Sequence, residues 1–168
     1  YSRMASSEMV EVDVNESIRL AATLLENELD AGVELRVTEG QIPCIFGYPG
    51  KLDQVFVNLI MNAIESIRPC PAEPTQRRGR IEINSSATDD GWVEVSVVDS
   101  GPGISDQARP RLFDPFYTTK ESGTGLGLSI CQSIVESHGG TIAVPWRESG
   151  AQFLVRLPIP GETGGQEA

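Results

Sequence analysis

The sequence has too little of most things that would tie it to a membrane, a secreted scaffold or a nucleic acid. No apolar run approaches the roughly 18 residues of a membrane helix, and no secretory signal opens the chain. There are only three cysteines, Cys44, Cys70 and Cys131, widely spaced and odd in number. That usage fits a reducing compartment better than a disulfide framework. One histidine, His138, and scattered cysteines leave no ligand set for zinc. Positive charge is scarce as well: 13 Lys plus Arg stand against 24 Asp plus Glu, a net charge of −11. Binding a phosphate backbone needs a basic face, so nucleic acid is excluded as a partner. Arg77, Arg78 and Arg80 cluster, but in a proline-rich stretch that reads as a solvated loop. No internal repeat is visible.

What remains is one domain, since 168 residues suffice to bury a core. Glu11 to Val14 reads as a short strand. Asp13 and Glu16 then make a capping box for a helix that carries Ile18, Ala21, Ala22, Leu25 and Leu29 inward and stops at Gly32. Val33, Leu35 and Val37 alternate with Glu34, Arg36 and Thr38 as a half-buried strand. A shorter strand follows around Cys44 to Phe46, and Gly47-Tyr48-Pro49-Gly50 reads as a turn. Leu52, Val55, Phe56, Leu59, Ile60, Ala63, Ile64 and Ile67 then keep i, i+3, i+4 spacing without a gap, the clearest helix in the chain. Pro69, Pro71 and Pro74 end it. Strands are expected from Arg80 to Ser85 and Trp92 to Asp99, and later near Thr141 to Val144 and Ala151 to Leu157. Helices mixed with adjacent strand pairs predict an α+β two-layer sandwich, with about five main strands in a mixed sheet and three helices on one face. From Pro158 the Gly- and Glu-rich tail reads as flexible.

Two glycine-spaced turns carry the chemistry. Gly123-Thr124-Gly125-Leu126-Gly127-Leu128 opens a helix whose apolar stripe is Leu126, Ile130, Ile134 and Val135, ending at His138-Gly139-Gly140. Glycines let backbone N–H groups approach a ligand, and a helix N-terminus adds free N–H donors and a dipole that together hold phosphate. About two dozen residues earlier, Asp99-Ser100-Gly101-Pro102-Gly103 follows a strand. A carboxylate at such a strand end can accept from an exocyclic amine such as that of adenine. On the long helix Asn58 and Asn62 lie one turn apart, and at roughly 100° per residue Asn62 falls at the margin of the apolar stripe. A neutral amide oxygen there suits Mg²⁺, which takes few protein ligands. Lys120 precedes the glycine turn, within reach of a terminal phosphate. Singly, Asp99 is also readable as a turn aspartate, Asn62 as a satisfied core amide, and Lys120 as an exposed loop lysine. Their order along the chain is the stronger signal.

That order resembles the sensor histidine kinases. Asn58-Leu59-Ile60-Met61-Asn62-Ala63 is similar to their N-box, Asp99 to Gly103 to the first glycine box, Phe113 to Phe116 to the F-box, and Gly123 to Gly127 to the second glycine box. Pro115-Phe116-Tyr117-Thr118-Thr119-Lys120 most resembles the branch of nitrogen-, oxygen- and dicarboxylate-sensing kinases. The resemblance runs from about Val10 to Pro158. It implies the Bergerat-type ATP-binding fold of the GHKL superfamily, with a linker at 1–10, a catalytic domain at 11–158 and a tail at 159–168.

It also implies roles. Asp99 would bind the adenine amine, with Gly101 and Gly103 shaping that end of the pocket. Asn62 would ligate Mg²⁺ and Asn58 support it. Residues 113–124 would form a mobile ATP lid. Lys120 and Thr119 would meet the phosphates, while Gly123, Thr124, Gly125, Leu126 and Gly127 would present backbone N–H groups. Gyrase-like ATPases carry a water-activating glutamate one turn before the magnesium asparagine, and Asn58 is a poor general base. The expected activity is therefore transfer of the ATP γ-phosphoryl group to a protein histidine.

His138 suits the C-cap of a helix beside glycine rather than a phosphoacceptor. The acceptor is thus expected on a dimerisation domain upstream of Tyr1-Ser2-Arg3, and the chain alone would not phosphorylate itself. A response regulator is the expected downstream partner. The expected location is cytoplasmic, without direct membrane contact, and anchoring of a parent protein is left open. Two other functions fit the same residues: a nucleotide-gated interaction module without catalysis, and a stand-alone anti-sigma serine kinase of the same superfamily. One departure from the family stands in the last strand, where threonine is common just before the phenylalanine, whereas here Gly150-Ala151 leads into Gln152-Phe153.

Overall fold

The computed structural model describes residues 8–29, 32–67, 79–120 and 123–161. The chain runs β1 (Val10–Val12), α1 (Val14–Leu24), α2 (Glu26–Leu29), β2 (Val33–Thr38), β3 (Ile45–Gly47), α3 (Pro49–Ile67), β4 (Gly79–Ala87) and β5 (Trp92–Asp99). A 3-10 turn at Arg109–Arg111 follows, then α4 (Gly127–Ser137), β6 (Thr141–Ala143) and β7 (Ala151–Pro158). Five strands form one mixed sheet in the order β2-β4-β5-β7-β6, and β1 pairs with β3 in a separate ribbon. Among the described residues only β2 and β4 pair in parallel. Parallel neighbours need a crossover, and α3 lies within that connection.

Strand alternation sorts the sheet into a buried and an open face. Ile81 and Ile83 of β4, Val93, Val95 and Val97 of β5, and Phe153, Val155 and Leu157 of β7 are all buried under the helices. The same period of two carries Asp99, at the end of β5, onto the buried face. On the open face Arg156 meets Glu94 at 2.9 Å and Asp90 at 3.0 Å, with its guanidinium over the Trp92 ring. The long helix α3 lies between α1 and α4 and against β4 and β5. Its Leu52, Val55, Phe56, Leu59, Ile60 and Ile64 are completely buried. Burial of such side chains is worth about 1.5–3 kcal/mol each, so α3 is the fixed element on which the site is built.

The structure corrects several local expectations. Val14 belongs to α1 and not to the first strand, because Asp13 caps the helix by accepting from the Asn15 N–H at 2.9 Å. Pro49-Gly50 is the first turn of α3 and not a reverse turn: the Tyr48 carbonyl accepts from the N–H groups of Lys51 and Leu52. Proline is tolerated there because its missing N–H would have no helical partner. In α4 the buried stripe is Cys131, Ile134 and Val135, while Leu126 and Ile130 are half-buried. Ile159 extends the core beyond Pro158, its N–H bonded to Gly91 O at 2.9 Å. Of the expected linker at 1–10, Val10 belongs instead to β1 and residues 1–7 lie outside the described residues, as do the proline-rich loop at 68–78, positions 121–122 of the expected lid and residues 162–168 of the expected tail.

Candidate functional site

Asn58, Asn62 and Glu65 follow one another at i, i+4 and i+7 along α3, on the edge beside its apolar stripe. Both asparagines are half-buried, as their position at the stripe margin requires. They face a cavity of about 330 Å³. Met61 and Glu65 complete its α3 wall, Tyr117, Thr118, Thr119 and Lys120 form a second, and Gly123, Thr124, Gly125 and Gly127 form a third at the start of α4. The Lys120 ammonium donates to Asn62 Oδ1 at 2.8 Å and to Glu65 Oε2 at 2.7 Å. Its own backbone is set by Thr118, whose hydroxyl accepts the Lys120 N–H at 3.1 Å.

The N-terminus of α4 opens on this cavity without a side-chain cap. Leu126 holds the cap position with no capping hydrogen bond, so the N–H groups of the first turn keep free donor capacity. Leu126 itself does not line the cavity. Phe116 and Gly125 clasp the turn: the Phe116 N–H donates to Gly125 O at 2.9 Å. Gly125 has φ +68°, and a Cβ there would collide with the Phe116 backbone. Phe116 also has φ +66°, rare for a residue with a side chain, and its ring is 75% exposed.

Asp99, Gly101 and Gly103 gather separately. Asp99 is 4% exposed, and its Oδ1 accepts from Gly101 N–H at 2.8 Å. Burial pushes the Asp99 carboxyl above the ordinary carboxylate range; hydrogen bonds from Gly101 N–H, the Ser66 hydroxyl and Ala151 N–H oppose that rise, as does the charge of Lys120. Gly150, at φ +68°, packs on the Asp99 carbonyl so closely that a Cβ would overlap it. A smaller recess of about 150 Å³, lined by Arg80, Asp99 and Arg147 among others, lies here. The residues expected from the motifs therefore fall into two groups. Asn58, Asn62, Thr119, Lys120, Gly123, Thr124, Gly125 and Gly127 share the large cavity, whereas Asp99, Gly101 and Gly103 do not line it. The Asp99 carboxylate is turned onto its own glycine turn and onto Ser66. Ser66, one turn after Asn62 on α3, links the two halves.

Glu65, Ser66 and Gly150 were not singled out by the motifs as site residues. Glu65 and Ser66 carried a usable signal, being three and four residues past Asn62 and so on the same helical edge. Gly150 stood out only as leading into the Gln152-Phe153 pair, where threonine is expected before the phenylalanine. His138 caps α4 as anticipated and is 5% exposed. Its Nε2 accepts from Tyr48 N–H at 2.9 Å, and its Nδ1 lies 2.7 Å from Ile134 O. Only the neutral ring protonated at Nδ1 satisfies both neighbours.

Among the described residues no helix is long and apolar enough to cross a membrane. Residues 47–161 match the family of histidine kinase-, DNA gyrase B-, and HSP90-like ATPases. The chain is 38% identical over 151 residues to the sensor histidine kinase ZraS of Escherichia coli K12, covering 88% of this chain and 30% of that protein. It is 41% identical over 125 residues to the C4-dicarboxylate transport sensor protein DctS of Rhodobacter capsulatus, covering 74% and 18%. The chain thus spans less than a third of these curated relatives. Among solved structures, the catalytic domain of histidine kinase ThkA superposes with a TM-score of 0.78 at 35% identity, over 92% of this chain and 99% of that one. Full-length ShkA in complex with AMPPNP superposes with a TM-score of 0.76 at 29% identity, over 94% and 32%. ThkA has also been solved with the response regulator protein TrrA. With that fold, those motifs in that order and those relatives, the chain belongs to the histidine kinase-, DNA gyrase B-, and HSP90-like ATPase family, as the ATPase domain of a two-component sensor kinase.

Proposed function

We propose that the chain binds Mg²⁺-ATP and transfers the γ-phosphoryl group to a histidine on a dimerisation domain outside this sequence. The observation that carries the reading is the convergence at the large cavity. Asn62 offers an oxygen already bonded to a cation, Lys120 supplies a positive charge, and the uncapped N-terminus of α4 supplies N–H donors. The donor set fits the metal. Among the described residues no cluster of three or more His, Cys, Asp or Glu could hold an ion, and Mg²⁺ needs only one or two protein oxygens beside phosphates and waters. Asn62 is the proposed ligand and Asn58 its support.

Each remaining residue then has a defined task. Asp99 accepts from the adenine amine, and Gly101 and Gly103 let the base approach the backbone. Thr119 and Lys120 meet the phosphates, and the 123–127 turn presents N–H groups to them. When bound, Mg²⁺-ATP supplies the phosphoryl group and the ion that offsets its charge, and the protein contributes positioning. Asn58 makes water activation poor, which favours transfer over hydrolysis. The single histidine of the chain is buried with both ring nitrogens engaged, which supports an acceptor elsewhere and a chain unable to phosphorylate itself. A response regulator is the proposed recipient, by analogy with ThkA.

The test is calorimetric titration with a non-hydrolysable ATP analogue, with and without Mg²⁺, followed by transfer from labelled ATP to a supplied histidine-bearing dimerisation domain. Magnesium-enhanced binding, lost in Asp99→Asn, and label on histidine are expected. Absence of binding overturns the reading. Binding without transfer replaces it with a nucleotide-gated interaction module, and label on serine with a serine kinase.

A further inference from the structure

Resting on the proposed nucleotide site, we infer that Glu65 is a positioning residue. It holds the Lys120 ammonium on the cation-binding oxygen of Asn62 when no nucleotide is present, and so sets how readily Mg²⁺-nucleotide enters. Three atoms carry this. Glu65 Oε2 and Asn62 Oδ1 converge on one point, and Lys120 Nζ fills it at 2.7 and 2.8 Å. Both oxygens come from one rigid helix whose opposite side is the core, so the seat exists without the loop that fills it. Lys120 comes from an irregular segment whose nearest backbone bond is to Thr118, so the lysine is the part that can leave.

The chemistry of exchange follows from charge. A charge-assisted pair to a carboxylate is stronger than a bond to a neutral amide, so Glu65 retains the ammonium more firmly than Asn62 does. While it stays, Asn62 Oδ1 is engaged by a cation other than Mg²⁺, and Lys120 is withheld from phosphate. The arriving nucleotide must therefore draw Lys120 away from Glu65. A protein whose binding-competent form is only a fraction of the population shows an apparent affinity reduced by that fraction. Glu65 also adds negative charge beside a triphosphate. Both effects act in one direction, so removing the charge at position 65 tightens nucleotide binding.

The chain contains only two lysines, Lys51 and Lys120, and Lys51 is exposed, which permits an internally referenced test. Wild type and Glu65→Gln, both nucleotide-free, are treated with a limiting amine-reactive acyl ester, and the rate at Lys120 is divided by that at Lys51. Lys120 can react only after leaving both oxygens. The ratio is expected to be about threefold or more below one in wild type, and to rise about threefold in Glu65→Gln. The same two proteins are titrated with Mg²⁺ and a non-hydrolysable ATP analogue, and Glu65→Gln is expected to bind about 3- to 10-fold more tightly. Equal labelling ratios, or equal or weaker affinity of the variant, overturn the inference. Protected Lys120 with no nucleotide binding by either protein removes both the entry role and the proposed function, and locates the failure in the latter.

Discussion

His138 and Tyr48, ninety positions apart in sequence, are joined by a hydrogen bond from the Tyr48 N–H to the imidazole Nε2 at 2.9 Å. Tyr48 immediately precedes α3 and His138 terminates α4, so the bond locks the end of one helix to the start of the other. These two helices carry Asn62 and the glycine turn. Their relative placement determines whether an ion on one and phosphates at the other can share a cavity. The Tyr48 ring also meets the imidazole edge-on, with centroids 5.5 Å apart.

His138→Ala leaves the Tyr48 N–H without its buried partner, while the Ile134 carbonyl still accepts from the Ser137 hydroxyl at 2.6 Å. Such a loss costs about 1–3 kcal/mol, so the urea midpoint should fall by the equivalent amount at unchanged slope. Loss of nucleotide affinity should be the smaller effect, because His138 does not line the cavity. A variant as stable as wild type would show that the cap is not a structural tie.

Gly150→Ala tests how the final strand serves Asp99. The added Cβ meets the Asp99 carbonyl, and the backbone stands at φ +68°. The strain alone is of order 1–3 kcal/mol, and relief requires β7 to slide from its register with Asp99 at Ala151. The variant should lose stability by about that amount and bind the ATP analogue at least several-fold more weakly. Near-normal affinity would mean that the Asp99 carbonyl is not positioned by Gly150.

Gly125→Ala acts on the other half. Its Cβ would strike the Phe116 backbone and break the clasp that holds residues 116–120 over the turn. The turn lies outside the core and can yield locally, so the stability loss should stay within the about 1–3 kcal/mol of the backbone strain itself. Nucleotide affinity should fall at least tenfold. The reverse pattern, a large stability loss with affinity retained, would assign the glycine to folding.

Much of this arrangement was legible because it rests on periodicity and ordered motifs. The unbroken apolar spacing of α3 fixed where Asn62 lies relative to the core, and alternation in β5 delivered Asp99 to its buried end. What the sequence could not show were relations across space. Nothing local to Lys120 points to Glu65, and nothing around Gly150 announces the carbonyl of Asp99 behind it. The turn assigned at Pro49 failed because proline and glycine punctuate chains in two ways, and only the Tyr48 carbonyl decides that a helix starts there. The division of the site into two parts was likewise invisible, since it depends on which distant partners Asp99 and Lys120 take in the fold.

Asp99 gives a prediction in pH. Its folded carboxyl lies above the ordinary value near 4 because burial penalises the charge more than Gly101, Ser66 and Ala151 compensate it. In the interval between the ordinary and the raised value, the folded state holds the proton and the unfolded state does not. Stability contributed by this group therefore falls as pH rises through that interval, and the penalty persists above it. Asp99→Asn keeps an acceptor for the Gly101 N–H and removes the charge. The variant should thus be more stable than wild type at pH 7, with the difference shrinking as pH is lowered from the raised value toward 4. Paired urea titrations of the two proteins, each run from pH 7 down to 4, measure that difference directly. At neutral pH the stabilised variant should still fail to bind the ATP analogue, because an amide places a donor where the adenine amine needs an acceptor. A pH-independent difference, or a variant less stable at pH 7, would show that the three hydrogen bonds outweigh burial at Asp99.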